Sequence, residues 1–232
     1  MHRFYSEKLE AQQKLLTLNE VESNHACKVL RLEESSSIEL INGRGIVAHA
    51  KIVQAHHKRC EVEILDCLEF PSEIHRIHLA ICPTKSNDRF EWMLEKIVEI
   101  GVDEITPLVS ENSERSKLNF DRLEKVILSA VKQSLRPFKP HLNPMDKVKD
   151  FLKNNPNALM AHCREDFERT DLKSHALRNE VVVMIGPEGD FSENEIKLAL
   201  QNQVKSVSLG KNRLRTETAG LVAVTLLNAS RT

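Results

Sequence analysis

Glycine and proline are both scarce, 7 and 8 residues in a chain of 232. That scarcity excludes a collagenous chain or a Gly/Pro-rich disordered one. Long apolar runs are missing too. The longest aliphatic stretch in a strand-like segment, Val181-Val182-Val183-Met184-Ile185, is far too short to cross a bilayer, so no membrane association is expected. The opening residues, MHRFYSEKLEAQQ, lack the apolar core of a secretory leader. The five cysteines (Cys27, Cys60, Cys67, Cys82, Cys163) are odd in number, widely spaced and contain no CxxC pair. They read as reduced cytoplasmic thiols rather than a disulfide framework or a zinc site. No excess of one charge exists: 33 Lys+Arg against 34 Asp+Glu leave −1, so global charge does not argue for nucleic acid. There is no internal repeat and no low-complexity segment.

What is present is a soluble globular composition, 41% hydrophobic and 29% charged, long enough for one large domain or two modest ones. Charge is distributed unevenly. Residues 113–141 hold Arg115, Lys117, Arg122, Lys125, Lys132, Arg136 and Lys139 against three acids, and residues 204–216 hold Lys205, Lys211, Arg213 and Arg215 against none. Two local basic patches on a neutral protein fit a polyanion bound over a limited footprint, but charge alone favours an ordinary solvated helix face and a basic loop.

The character of the chain changes near Glu69-Phe70-Pro71-Ser72, which sets a boundary between residues 1–70 and 71–232. Before it lie strand-like segments: Ser37 to Ile41, Ile46 to Val53, and the partly alternating Arg59 to Leu65. Asn42-Gly43-Arg44-Gly45 reads as a hairpin turn, and Asn24 to Leu32 as a short helix. A small barrel or sandwich is expected. After Pro71, strands (Ile77–Cys82, Ile105–Val109, Ala158–His162, Val181–Ile185, Val204–Leu209) alternate with helices. The first helix has Asp88 and Glu91 at capping-box spacing, the stripe Phe90, Leu94, Ile97 and Val98, and a stop at Gly101. Phe120, Leu123, Ile127, Ala130 and Val131 mark another. The alternation predicts an α/β domain with a mainly parallel sheet, whose ligands lie at the carboxyl ends of the strands.

Two strand-end loops carry the chemistry. Gly186-Pro187-Glu188-Gly189-Asp190-Phe191 joins a strand to a helix capped by Ser192 and Glu195. Leu209-Gly210-Lys211-Asn212-Arg213-Leu214-Arg215-Thr216-Glu217-Thr218 leads, with Thr216 as expected N-cap, into a terminal helix apolar on nearly every face. That helix must be enclosed by the fold or by a second subunit. Together Ile185, Gly186, Leu209, Gly210 and Leu214 outline a pocket for a small cofactor with a flat ring, with Glu188 at its edge. Absence of GxGxxG and GxxxxGK[ST] disfavours a dinucleotide fold or a P-loop. Glu73, His75 and His78 do not make a metal site, because residues 75 and 78 of a strand point to opposite faces, and no metal is expected. His56-His57 reads as a solvated loop pair, and His162-Cys163 as a strand end near the crevice. Trp92 reads as helix packing, with stacking on RNA as the alternative.

Gly186-Pro187-Glu188-Gly189, Leu209-Gly210 and Leu214-Arg215-Thr216-Glu217-Thr218-Ala219 resemble the SPOUT methyltransferases, and more narrowly those that methylate N3 of a uridine in 16S rRNA. The resemblance spans the whole chain. Arg3-Phe4-Tyr5 and Asn24-His25 to Val29-Leu30-Arg31 are similar to its PUA-like RNA-binding barrel. Lys85, Asp88-Arg89-Phe90-Glu91, Glu95-Lys96, Glu99, Gly101-Val102, Ala130 and Gln133-Ser134 are similar to its methyltransferase domain. Two positions depart from it: Asp190 and Leu135 stand where the family carries glycine.

The resemblance implies an α/β trefoil-knot domain, a homodimer, and S-adenosylmethionine as cofactor, held by Ile185, Gly186, Glu188, Gly189, Leu209, Gly210, Leu214 and Thr216. It implies 16S rRNA in the small ribosomal subunit as substrate and a cytoplasmic site of action. On that reading Arg215 or Arg213 stabilises charge on the deprotonated uracil, and Glu217 or Glu188 orients an arginine, the base or the donor. Arg3, Arg31, Lys85, Arg89 and Arg136, with Lys117, are candidates for RNA phosphate contacts. The competing readings are a SPOUT enzyme acting on tRNA, at a base or a ribose 2′-OH, and a non-catalytic RNA-binding assembly factor.

Overall fold

The computed structural model describes residues 1–72 and 74–230. They form two compact units, one of Met1–Ser72 together with Val131–Lys139, the other of the remaining described chain. The first unit thus takes back a nine-residue segment that lies far beyond residue 70 in sequence.

In the first unit the elements are β1 (His2–Tyr5), β2 (Leu15–Thr17), α1 (Glu20–Asn24), β3 (Ser37–Ile41), β4 (Ile46–Gln54) and β5 (Glu61–Glu69). The strands make one sheet in the order β1-β3-β4-β5-β2, antiparallel except for the parallel β1–β3 pair. Period-two alternation sets its inner face: Ala48, Ala50 and Ile52 of β4 are buried, while Lys51 and Val53 turn outward. Phe4, Leu16, Ile38, Leu40 and Val62 complete the core, each fully buried large side chain contributing about 1.5–3 kcal/mol. The β3–β4 turn forms because Gly43 (φ +70°) and Gly45 (φ +102°) accept left-handed backbone, while Asn42 Oδ1 accepts the Arg44 and Ile46 N–H groups at 2.8 and 3.0 Å. A side chain at Gly45 would also meet the Phe70 carbonyl oxygen at 2.7 Å.

The short helix expected at Asn24–Leu32 starts earlier. Asn19 caps α1, accepting the Glu22 N–H at 2.9 Å, and α1 runs on as a wider π-turn over His25–Val29. Arg31, at φ +53°, follows. The returning segment is stitched to the β3–β4 turn: Gly45 N–H donates to Pro137 O (3.1 Å) and Lys139 N–H to Gly43 O (2.9 Å). Lys132 Nζ pairs with the buried Glu22 carboxylate at 2.9 Å.

The second unit contains β6 (Arg76–Ile81), α2 (Asn87–Ile100), β7 (Glu104–Val109), α3 (Phe120–Gln133, whose last turn joins the first unit), β8 (His141–Leu142), β9 (Asp146–Lys147), α4 (Val148–Asn154), β10 (Leu159–Ala161), β11 (Thr170–Asp171), β12 (Glu180–Ile185), α5 (Glu193–Gln201), β13 (Lys205–Ser208) and α6 (Thr216–Ala229). The strand order is β11-β13-β10-β12-β6-β7-β8, with β9 also on β7, and every pair is parallel. Its central strands β6, β7, β10 and β12 are largely buried on both faces, as the unbroken apolar run of β12 requires, while the edge strand β11 is exposed. Ala80, Met160, Met184, Phe151, Phe191 and Ile196 form part of the core.

Two caps differ from expectation. Ser86, not Asp88, caps α2, its hydroxyl accepting the Arg89 N–H, and Gly101 (φ +124°) ends it. The N-cap of α6 is Arg215, with no side-chain cap bond; Thr216 is the first helical residue, and its hydroxyl is used elsewhere. The Ser192/Glu195 capping box on α5 is present. Helix α6 packs on α2 and β6, and Gly220 permits the approach, since a Cβ there would sit 2.8 Å from both Ile81 Cδ1 and Met93 Sδ. The fold encloses one face of α6; Leu221, Val222 and Leu226 on the other stay half-buried.

Candidate cofactor and active site

Strands β13, β10 and β12 are neighbours with aligned ends: Ala161 lies opposite Ile185 on one side and Val207 on the other. Their loops therefore open together at the carboxyl edge of the sheet. A cavity of about 620 Å³ lies there, within the usual size of small-molecule sites. Ile185, Val207, Leu209, Leu214 and Ala219 supply apolar wall, Gly186 and Gly210 bare backbone, and Arg213 and Arg215 are exposed on its lining.

The loop Gly186–Asp190 ties the surrounding loops together. Gly186 O accepts the Thr216 hydroxyl at 3.2 Å, joining the loop to α6. Glu188 Oε1 accepts the Lys85 N–H at 3.0 Å, joining it to the β6–α2 loop. Asn112, after β7, donates to Asp190 O at 3.0 Å and to Gly189 O at 3.4 Å. Asp190 Oδ2 accepts the Cys163 N–H at 2.8 Å, joining it to the end of β10. Glycine is favoured at Gly186, where a Cβ would sit tightly, 3.0 Å from the Phe191 nitrogen, as the loop turns back on itself. The buried carboxylate of Glu195 does more than cap α5: it also accepts the Ser110 hydroxyl and the Glu111 N–H, each at 3.0 Å.

Of the residues expected at the cofactor, Ile185, Gly186, Glu188, Leu209, Gly210, Leu214 and Thr216 all line this one cavity, as do Arg213 and Arg215. Gly189 does not line it; it sits against Asn112. Glu217 is buried, and the arginine facing it is Arg89 of α2, Nη1 to Oε1 3.9 Å, rather than Arg215. Lys85 is exposed and pairs with Glu114 at 2.9 Å. The Arg3 side chain is 7% exposed and paired with Glu39, with a further bond to Arg136 O. Arg31 is exposed and Arg136 half-buried. Trp92 is 46% exposed, so it does not pack in the core of the chain.

His162 and Cys163, read from the sequence as a strand end near the crevice, line the β10 side of the cavity, together with Glu165 and Arg169, which sequence reasoning missed. His162 is buried with neither ring nitrogen hydrogen-bonded, its ring edge-on to Phe167, and burial holds its pKa below the ordinary 6.5. Cys163 is exposed, and its thiol is raised by partial burial and then by Asp190. The signal for this wall lay only in strand order. His78 bonds Thr106 Oγ1 at 2.7 Å and His75 meets Arg178 O at 3.2 Å, so the two histidines have separate partners, and Glu73 lies outside the described residues. Among the described residues no group of three or more His, Cys, Asp or Glu is arranged to hold a metal, and no helix is long and apolar enough to cross a membrane.

Comparison with known proteins defines the class. The model of an RNA methyltransferase domain matches residues 71–228, and that of an RNA methyltransferase PUA domain matches residues 18–65. The ribosomal RNA small subunit methyltransferase E of Mesomycoplasma hyopneumoniae is 32% identical, with 97% of this chain and 98% of the relative covered. The crystal structure of a probable rRNA-methyltransferase from Porphyromonas gingivalis superposes with a TM-score of 0.86 at 37% identity, covering 97% of this chain and 95% of that one. The ribosomal RNA small subunit methyltransferase E of Neisseria gonorrhoeae, solved bound to S-adenosyl methionine, superposes with a TM-score of 0.81 at 29% identity, covering 97% and 95%. The chain belongs to the ribosomal RNA small subunit methyltransferase E family of RNA methyltransferases.

Proposed function

We propose that the protein methylates N3 of a specific uridine in 16S rRNA of the small ribosomal subunit, with S-adenosylmethionine as methyl donor. The observation that carries this reading is the cavity at the ends of β10, β12 and β13, with apolar walls, bare glycine backbone, and Arg213 and Arg215 among the arginines on its lining. The fit to the donor is chemical. Ile185, Leu209, Leu214 and Ala219 suit a flat ring, and the peptide groups of 185–186 and 209–210 suit its polar edge. When bound, the donor supplies a methyl group activated by a sulfonium. Family membership and the bound donor of the Neisseria gonorrhoeae relative support the same cofactor.

The chain's own residues have two tasks. They must hold uracil N3 in line with the methyl, where positioning contributes most. They must also stabilise the negative charge that loss of the N3 proton spreads over O2 and O4. Arg213 and Arg215 are the cations of the cavity lining that stand beside Leu214 in the loop leading to α6, and we assign them that charge. Glu217 holds Arg89 toward the same helix start. Arg31 on the first unit, and Lys85 and Arg89 on the second, contribute salt-dependent phosphate contacts. A homodimer accounts for the apolar surface of the packed α2–α6 pair, where Trp92 and Ile100 are exposed and Leu221, Val222 and Leu226 half-buried. On this reading the protein acts in the cytoplasm.

The test is incubation with S-adenosylmethionine and small subunits lacking the modification, then mass spectrometry of the digested 16S rRNA against 3-methyluridine. Its appearance supports the reading. Methyl transfer into tRNA alone, or none despite donor binding, overturns it.

A further inference from the structure

We infer that Asn112 and Asp190 form a clamp that positions the wall of the donor cavity, Asn112 acting from outside the cavity through the backbone of Asp190. Asp190 has φ +64°, a left-handed conformation that L side chains adopt rarely and at a cost. Such a conformation persists only where the surroundings over-determine it. Here every polar group of the residue is engaged. Its N–H donates to Pro187 O at 2.9 Å, and its carbonyl accepts Asn112 Nδ2 at 3.0 Å. Its Oδ1 accepts the Phe191 N–H and its Oδ2 the Cys163 N–H, both at 2.8 Å.

Asp190 and Cys163 both line the cavity, whereas Asn112 does not. Asn112 is itself anchored: its N–H donates to Ser110 Oγ at 3.2 Å, and Ser110 donates to the buried carboxylate of Glu195 at 3.0 Å. A chain of hydrogen bonds thus runs from a buried glutamate to the β10 side of the cavity. The physical role of Asn112 is to hold a strained peptide in the one orientation that lets the Asp190 carboxylate reach Cys163. Glycine at position 190 would adopt the same φ without strain and could not reach Cys163, so Asn112 would lose its effect there.

The inference rests on the donor reading of the cavity, and its test separates the two. S-adenosylmethionine is titrated calorimetrically into the full-length protein and into Asn112→Ala, Asp190→Gly and the double variant, a double-mutant cycle. Asn112 is exposed and Asp190 only half-buried, so removal of the amide lowers the thermal midpoint only slightly and the variant stays folded. Asn112→Ala is expected to raise Kd about threefold to tenfold, the range of a lost hydrogen bond. In the Asp190→Gly background the same change moves Kd less than about twofold. Asn112→Gln, which keeps a donor, recovers part of the loss. No effect of Asn112→Ala, or the same effect in both backgrounds, overturns the inference. Amide hydrogen exchange is read on the same proteins. Faster exchange at Cys163 and Phe191 in Asn112→Ala supports the clamp, and unchanged exchange overturns it. If the unaltered protein binds no donor, the cofactor reading fails and the exchange rates alone decide the clamp.

Discussion

The hydroxyl of Thr216, first residue of α6, donates to the carbonyl of Gly186, 3.2 Å away and thirty residues earlier in the chain. One bond thus locks the start of the terminal helix to the loop after β12, at the junction of two walls of the cavity. Thr216→Val keeps the shape and removes the donor, leaving a buried carbonyl short of a partner. The expected loss is about 1–3 kcal/mol of stability in urea unfolding, with weaker donor binding. Thr216→Ser should retain both, and a Val variant as stable as the parent would show that the bond is idle.

Arg215 is exposed on the cavity lining and makes no cap bond on α6. Arg215→Ala should therefore lower methyl transfer at saturating donor by about a hundredfold or more, the scale of a lost charge-stabilising group. Donor Kd should change little. Parallel losses in transfer and affinity would remove the role assigned to it.

Cys163 is the exposed thiol of the cavity wall, whereas Cys60 and Cys82 are buried with their thiols pushed up to about 12. Iodoacetamide at pH 8 should alkylate Cys163 well before Cys60 or Cys82. Saturating S-adenosylmethionine should slow labelling of Cys163 and leave the other sites unchanged, as peptide mass spectrometry would report. Indifference of Cys163 to the donor would place the ligand elsewhere.

His78 and His162 are buried, and burial lowers the pKa of each below 6.5. In the unfolded chain they take up protons near 6.5. The unfolded state therefore binds more protons between the two values, and stability rises with pH there. The stabilisation is complete above about pH 6.5 and is lost as pH falls toward the folded-state pKa values. Urea midpoints from pH 8 to pH 5 should fall below that point. His162→Phe, which keeps an aromatic ring against Phe167, should flatten the profile; an unchanged slope would exclude His162 as a contributor.

Short-range chemistry was legible without coordinates. The Ser192/Glu195 capping box, the Asn42–Gly45 turn, the Gly101 stop and the apolar run of β12 each depend on residues a few positions apart. The family resemblance, rather than local pattern, marked Asp190 and Leu135 as standing where glycine is expected, and both adopt positive φ, +64° and +60°. Two cap assignments went wrong where local patterns competed. Ser86 outdoes Asp88 as a cap because its hydroxyl sits before the first helical residue. Thr216 spends its hydroxyl on Gly186 instead of its own helix. Arg3 meets Glu39 because β1 and β3 run in parallel register, which brings those two residues side by side.

By itself, then, the sequence determined the alternation of strands and helices, the position of the two glycine-bearing loops and the apolar terminal helix, since these follow from periodicity, capping and backbone freedom within a few residues. Only the tertiary structure decided which loops meet. The order β13-β10-β12-β6 brings Cys163 beside Asp190, and the packing of α6 on α2 brings Glu217 toward Arg89. Parallel strands need long crossovers, so neighbours in the sheet are distant in the chain. Their pairing is chosen by burial of the whole core, which no local pattern encodes.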